Sequence, residues 1–207
     1  MDAKIKERLK AILTDLEAVD EGKYEVFKSF LLGWVKDHTN YFTAPCSTKY
    51  HLNCEGGLLE HSINVTELML KLKEQLAPDI SVESCIICGM LHDLGKAGDK
   101  DVPYYIENTP TPNQIKYGYS AYPPYIVNPD LKPYMEHSDR SVFNILKYSK
   151  ILLTPEEYQA IRIHDGLYVD NNKTYAMKES KLAMLLHIAD IWSSSFIEPI
   201  IIADWRK

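Results

Sequence analysis

Seven histidines are spread along the chain, and four of them, His61, His92, His137 and His164, fall at or near the ends or on the faces of four different helical patterns. Asp93 and Asp190 are the carboxylates to pair with them. Imidazole nitrogens hold Zn, Fe, Mn, Co or Ni, and a carboxylate can bridge two ions, so this mixture suits divalent first-row metals. The His92-Asp93 pair is central: two adjacent residues near a helix end can both turn into one pocket only if the helix terminates there, and Gly95 is expected to terminate it. Cys85 and Cys88 have the spacing of a redox or zinc half-site. They share a helical stretch with Ile86 and Ile87, and no second cysteine pair stands at zinc spacing, so core packing is expected. His38 has no partner for chemistry and reads as structural.

The elements that must position these residues are helical. Ile5, Leu9, Ile12, Leu13 and Leu16 mark one amphipathic pattern, and Phe27, Phe30, Leu31, Trp34 and Val35 a second. A loop from His38 to Gly57 follows, carrying Pro45, Asn53 and the Gly56-Gly57 pair. Leu58, Ser62, Val65, Met69, Leu72 and Leu76 then define a helix face that places His61 and stops before Pro78. Ser81 can cap the helix that ends at His92-Asp93. Between residues 101 and 134 lie seven of the eleven prolines and seven of the fourteen tyrosines, with no sustained period. This segment is expected to be a long loop or lid, or to hold a short hairpin around Tyr117 to Tyr125, with Tyr104, Tyr105 or Tyr119 near substrate. After it, Val142, Ile145 and Leu146 continue from His137. Thr154-Pro155-Glu156-Glu157 is a capping box that opens the helix to His164, and Gly166 ends it. A last helix runs from about Lys178 through Leu182, Leu185, Leu186 and Ala189, and the apolar Ile200 to Ile202 run is expected to pack or to mediate self-association.

Length and composition agree with one compact domain. The 207 residues allow one sizeable core at ~150 residues per domain. A hydrophobic content of 45% with 25% charged residues excludes a disordered or fibrous chain. Lys and Arg number 23 against 29 Asp and Glu, a net charge of -6 that disfavours general phosphate-backbone binding. No stretch reads as a membrane span or a secretion signal, and the four cysteines read as reduced thiols, so a cytoplasmic location is expected.

Three stretches carry a resemblance: Gly-Gly-Leu-Leu-Glu-His-Ser at 56 to 62, Leu-His-Asp-Leu-Gly-Lys at 91 to 96 and Leu-His-Ile-Ala-Asp at 186 to 190. In this order they resemble the HD-domain metal-dependent phosphohydrolases, over about residues 50 to 195. The resemblance implies an all-α HD helical bundle with a long Tyr/Pro-rich insertion (101–134). The chain then divides into an N-terminal helical extension packed on the core (1–45) and the HD domain (46–207). By match, His61, His92, Asp93 and Asp190 hold one divalent metal. Dinuclear members have two further histidines between the pair and the last Asp, and His137 and His164 stand in those places, so two ions are expected with Asp93 bridging them. The branch with a His-His doublet is a poorer match, because Asp165 follows His164. The mononuclear nucleotidases lack the middle histidines, although Glu136 could serve as their acid or base.

The implied activity is hydrolysis of a nucleotide or similar small phosphate ester by metal-activated water. Lys96 resembles the family's phosphate-contacting lysine. Arg140, three residues beyond His137, shares its helix face as a second clamp. His187 lies three before Asp190 and His51 precedes the glycine pair; both are assigned to substrate binding or support of the ligands. The alternatives are a dinuclear-iron HD oxygenase, a 3′ to 5′ exonuclease and a non-catalytic nucleotide-binding module. The exonuclease is demoted because residues 1 to 45 show no strand alternation from which to build a nucleic-acid-binding OB domain.

Overall fold

The computed structural model describes residues 2–198 and is all-α apart from one pair of short strands. Helix α1 (Ala3–Val19) is capped by the Asp2 side chain and buries Leu9, Ile12, Leu13 and Leu16. Asp20 caps α2 (Glu21–Lys28), which continues through a π-helical stretch, Ser29–Val35, into the last turn, α3 (Lys36–His38). α4 (Gly57–Leu76) and α5 (Val82–Leu91) are the central pair, and every residue of α5 from Cys85 to Leu91 is buried. Cys85 and Cys88 are thus core residues with free thiols.

α7 (His137–Tyr148), α8 (Pro155–Ile163) and α9 (Lys181–Trp192) complete the bundle. α9 packs on α4 and α8, and α8 on α7. The expected Thr154 capping box forms, with Thr154 Oγ1 accepting from the Glu157 backbone and Glu157 reaching back to the Thr154 N–H. α9 begins three residues later than the apolar pattern suggested, because the Ser180 side chain accepts from the Ala183 N–H and fixes the start there. One core joins these helices, and the apolar faces of α1 and α2 belong to it.

Residues 101–134 are more ordered than a long loop. Strands β1 (Tyr105–Glu107) and β2 (Tyr125–Val127) pair antiparallel with Tyr105 opposite Val127. Between them sits the short helix α6 (Pro112–Lys116), stabilised by its own Thr111–Gln114 capping box. The strand pair therefore flanks the region where a hairpin around Tyr117 to Tyr125 was expected. A strand of three residues is too short to show a period of two in sequence. The insertion is tied to the loop before α4, where the Tyr125 N–H donates to Thr48 O (3.2 Å), and is closed internally by Asn128 Nδ2 donating to Pro103 O (2.9 Å). No helix among the described residues is long and apolar enough to cross a membrane. The Ile200 to Ile202 run lies outside the described residues.

Candidate metal centre

Four helix termini and one helix face converge on one buried point. His61 projects from α4, one turn after its start. α5 ends at Leu91, with His92 as its cap, and Asp93 opens the single 3-10 turn Leu94–Lys96. The helix thus stops four residues before Gly95, and that glycine has a different task. A Cβ there would lie 1.9 Å from the His137 carbonyl oxygen, so the missing side chain lets the start of α7 sit directly on the turn. Ser141 Oγ ties the same junction, accepting from the Gly95 N–H (2.7 Å) and donating to His92 O (2.6 Å). His164 caps α8, and Gly166, at φ +75°, turns the chain away in a conformation that a side chain would strain. Asp190 comes from α9.

The imidazoles are aimed by their inner nitrogens. Nδ1–H of His92 donates to Gly89 O and that of His164 to Ile161 O, each at 2.8 Å. A carbonyl only accepts, so each Nδ1 carries a proton and each Nε2 is the ring nitrogen turned to the centre. His61 Nδ1 faces the Glu198 carboxylate at 2.9 and 3.0 Å, again leaving Nε2 for the centre.

The donor atoms fall into two groups that share Asp93. On one side, His61 Nε2 lies 3.2 Å from His92 Nε2, 3.2 Å from Asp190 Oδ1 and 3.6 Å from Asp93 Oδ2. On the other, Asp93 Oδ1 lies 3.2 Å from His164 Nε2 and 3.5 Å from His137 Nε2, and the two imidazoles are 3.4 Å apart. Ligand bonds of ~2.1 Å separate neighbouring donors by about 3.0 Å in an octahedron and about 3.4 Å in a tetrahedron. The observed spacings match those edges, and nitrogen and carboxylate donors suit a divalent first-row ion, so each group fits one. All six expected donors are brought together.

Asp165 joins the second group, with Oδ2 3.1 Å from His137 Nε2. Sequence reasoning used Asp165 only to argue against a histidine doublet; its place becomes evident once α8 unwinds between His164 and Gly166. Glu198 was missed as well. Its contacts to His51 and His61 span more than 130 positions, and no local pattern announces them.

Electrostatics follow the burial. Burial opposes charge on His61, but its hydrogen bonds to the Asp190 and Glu198 carboxylates outweigh it and hold the imidazolium up to about 10. His164 is likewise opposed by burial and held up to about 9 by Asp165 and Asp93. At His92 burial outweighs the attraction of Asp93 and lowers the imidazolium to about 4. Asp93 stays well below the usual carboxylate range: burial pushes it up, but Lys96, His92 and His164 prevail. Against the same opposing burial, His61 holds Asp190 down to about 2.

The residues expected to meet substrate divide. Lys96 Nζ lies 2.6 Å from Asp93 Oδ2, inside the centre. His187 Nδ1 donates to His164 O (2.7 Å) and packs on Gly166. It lines a cavity of about 300 Å³ with Ile163, Leu167, Tyr168, Glu179 and Met184. His51 turns its Nδ1 to Glu198, beside the His61 ring. Arg140 is drawn off to Asp99, 3.4 Å away, and its Nε is buried with no partner among the described residues. Of the insertion tyrosines, Tyr105 lies within electrostatic reach of Lys96 and Asp93, and burial raises its hydroxyl to about 12. Buried Cys46 Sγ lies 4.0 Å from Asp93 Oδ2.

This helical bundle, with its His-Asp pair at the end of a buried helix, has the architecture of an HD domain. The sequence profile described as "HD domain" matches residues 58–194, and the chain belongs to that family. A stretch of 57 residues is 44% identical to a dihydroneopterin 2′,3′-cyclic phosphate phosphodiesterase of Methanocaldococcus jannaschii, covering 26% of this chain and 23% of that protein. The match thus spans less than a quarter of the relative's length. No solved structure matches this chain significantly.

Proposed function

We propose that this chain is a metal-dependent phosphohydrolase that binds two divalent ions and cleaves a nucleotide or similar small phosphate ester with metal-activated water. The observation that carries the reading is the division of Asp93, whose Oδ2 faces His61 and His92 while Oδ1 faces His137 and His164. A carboxylate split between two donor groups is the arrangement that bridges two ions. His61, His92 and Asp190 would complete one site, and His137, His164 and Asp165 the other. Ions held there supply a bound water of lowered pKa and Lewis-acid polarisation of the phosphoryl oxygens.

The chain's own residues prepare that chemistry. The Nδ1–H bonds to backbone carbonyls preset His92 and His164, so little reorganisation is needed at the centre. Lys96, charged and half-buried, stands where it can neutralise charge on a transferred phosphoryl group. Tyr105 brings a protonated hydroxyl from the insertion to the same side, as a donor to a phosphoryl oxygen. The cavity beside His187 takes the organic part of the ester, with apolar walls and two polar groups, Glu179 and His187. The extension at 1–45 acts as a buttress to the HD core at 46–207, and the setting is cytoplasmic. The relative named for a cyclic phosphodiester supports testing diesters first.

A panel of nucleoside 2′,3′-cyclic phosphates, 3′,5′-cyclic phosphates and monophosphates, assayed with Mn, Co, Ni, Zn or Fe(II), tests the reading. Hydrolysis of at least one class, abolished by chelator and restored by metal, is expected. Silence across the panel with substrate-dependent oxygen uptake by the iron form would replace hydrolysis with oxygenase chemistry.

A further inference from the structure

We infer that Glu198, with Asn64 and Arg8 behind it, is a positioning relay that fixes the orientation of His61. The inference rests on the metal reading above. Glu198 is buried, at 5% exposure, just beyond the π-helical stretch Ser193–Ile197, and its backbone N–H is held by Ser193 O (3.0 Å). It lies outside residues 58–194, the part of the chain shared with the family.

A buried carboxylate must be satisfied or paired, and Glu198 is satisfied by three donors. His61 Nδ1 meets both of its oxygens, His51 Nδ1 meets Oε2, and Asn64 Nδ2 donates to Oε1 at 2.9 Å. The Asn64 amide is oriented in turn. Arg8 Nη2 donates to Asn64 Oδ1 (2.7 Å), so the amide nitrogen of Asn64 must face Glu198. Arg8 is locked by a two-point pair with Glu67, at 2.9 and 2.8 Å. A line of hydrogen bonds thus runs from α1 through α4 to Glu198, and ends on His61, whose Nδ1 meets a carboxylate where those of His92 and His164 meet backbone carbonyls. His92 and His164 are aimed by their own helices; His61 is aimed by Glu198. A carboxylate on Nδ1–H fixes the tautomer and raises the basicity of Nε2 as a ligand.

Cobalt(II) provides the probe, because its visible absorption reports the ligand field as well as affinity. Glu198→Ala should weaken Co(II) binding about 10- to 100-fold, within the range for loss of such a partner, and shift the absorption bands. Glu198→Gln keeps the shape and one acceptor oxygen, and should fall between wild type and alanine. Arg8→Met should weaken binding by less than Glu198→Ala. His61→Ala is the reference, and circular dichroism monitors the fold. Wild-type affinity and spectrum in Glu198→Ala, with loss in His61→Ala, overturns the relay alone. If the alanine variant does not fold, a wild-type affinity and spectrum in Glu198→Gln does the same. Wild-type binding in His61→Ala as well overturns the metal reading beneath it.

Discussion

Replacing Asp93 with asparagine separates the two roles that the structure gives this side chain. Asparagine has nearly the same shape, so almost no cavity forms, and what changes is the charge. The carboxylate is 1% exposed on its side chain, with Lys96 Nζ at 2.6 Å and His164 Nε2 at 3.2 Å. Removing one partner of a buried ion pair costs about 3–5 kcal/mol, because the other charge is left uncompensated. For a chain of this size each kcal/mol lowers Tm by ~2–4 °C, so Asp93→Asn should melt about 6–20 °C below the wild type, both measured metal-free. The double variant Asp93→Asn/Lys96→Met removes the stranded ammonium and should recover much of that loss. It should recover neither bound metal nor hydrolysis, because both donor groups still lack their shared ligand. Calorimetry on the metal-free proteins and metal analysis after saturation read the two effects independently. A metal-free Asp93→Asn that melts within 2 °C of the wild type would refute the ion-pair argument, and one that still holds two ions would refute the bridging role.

His164→Ala removes a donor of the second group only, and should leave one ion per chain by metal analysis; two retained ions would make His164 a substrate contact. Metal uptake should release protons. His61 and His164 are held up to about 10 and 9 without metal, so both carry a proton at pH 7 that a metal must displace, whereas Asp93 and Asp190 are already ionised. Titration calorimetry in two buffers of different ionisation enthalpy should therefore show close to two protons released per chain at pH 7. Affinity should rise with pH and level off above ~10; no release at pH 7 would contradict the network. Gly95→Ala drives a methyl to 1.9 Å from His137 O, so α7 must shift. That should lower stability by about 1–3 kcal/mol in denaturant melts and weaken the second ion selectively.

The site was legible in sequence where a residue is both local and typed. His92 and Asp93 are adjacent, and His61, His137, His164 and Asp190 each ride on a helix whose apolar period or cap can be read without a structure. What the sequence did not show depends on packing. Arg140 shares a helical repeat with His137, and its ion pair with Asp99 arises only where two segments distant in sequence meet. Asp165 enters only because α8 unwinds after His164. Glu198 answers to no periodic pattern, since it is placed by a π-helical stretch and by contacts distant in sequence. The insertion hid its strand pair for a related reason. Its three-residue strands are held by the loop at Thr48 and by Asn128, not by an alternating pattern of their own.

The central claim is that two metal ions share Asp93. Mass-spectrometric metal analysis per chain, on protein purified without chelator or affinity metal and protected from air, tests it most directly. The account predicts two divalent first-row ions per chain, falling to none in Asp93→Asn. A single ion that no added metal can supplement, or two ions that survive that substitution, would contradict it.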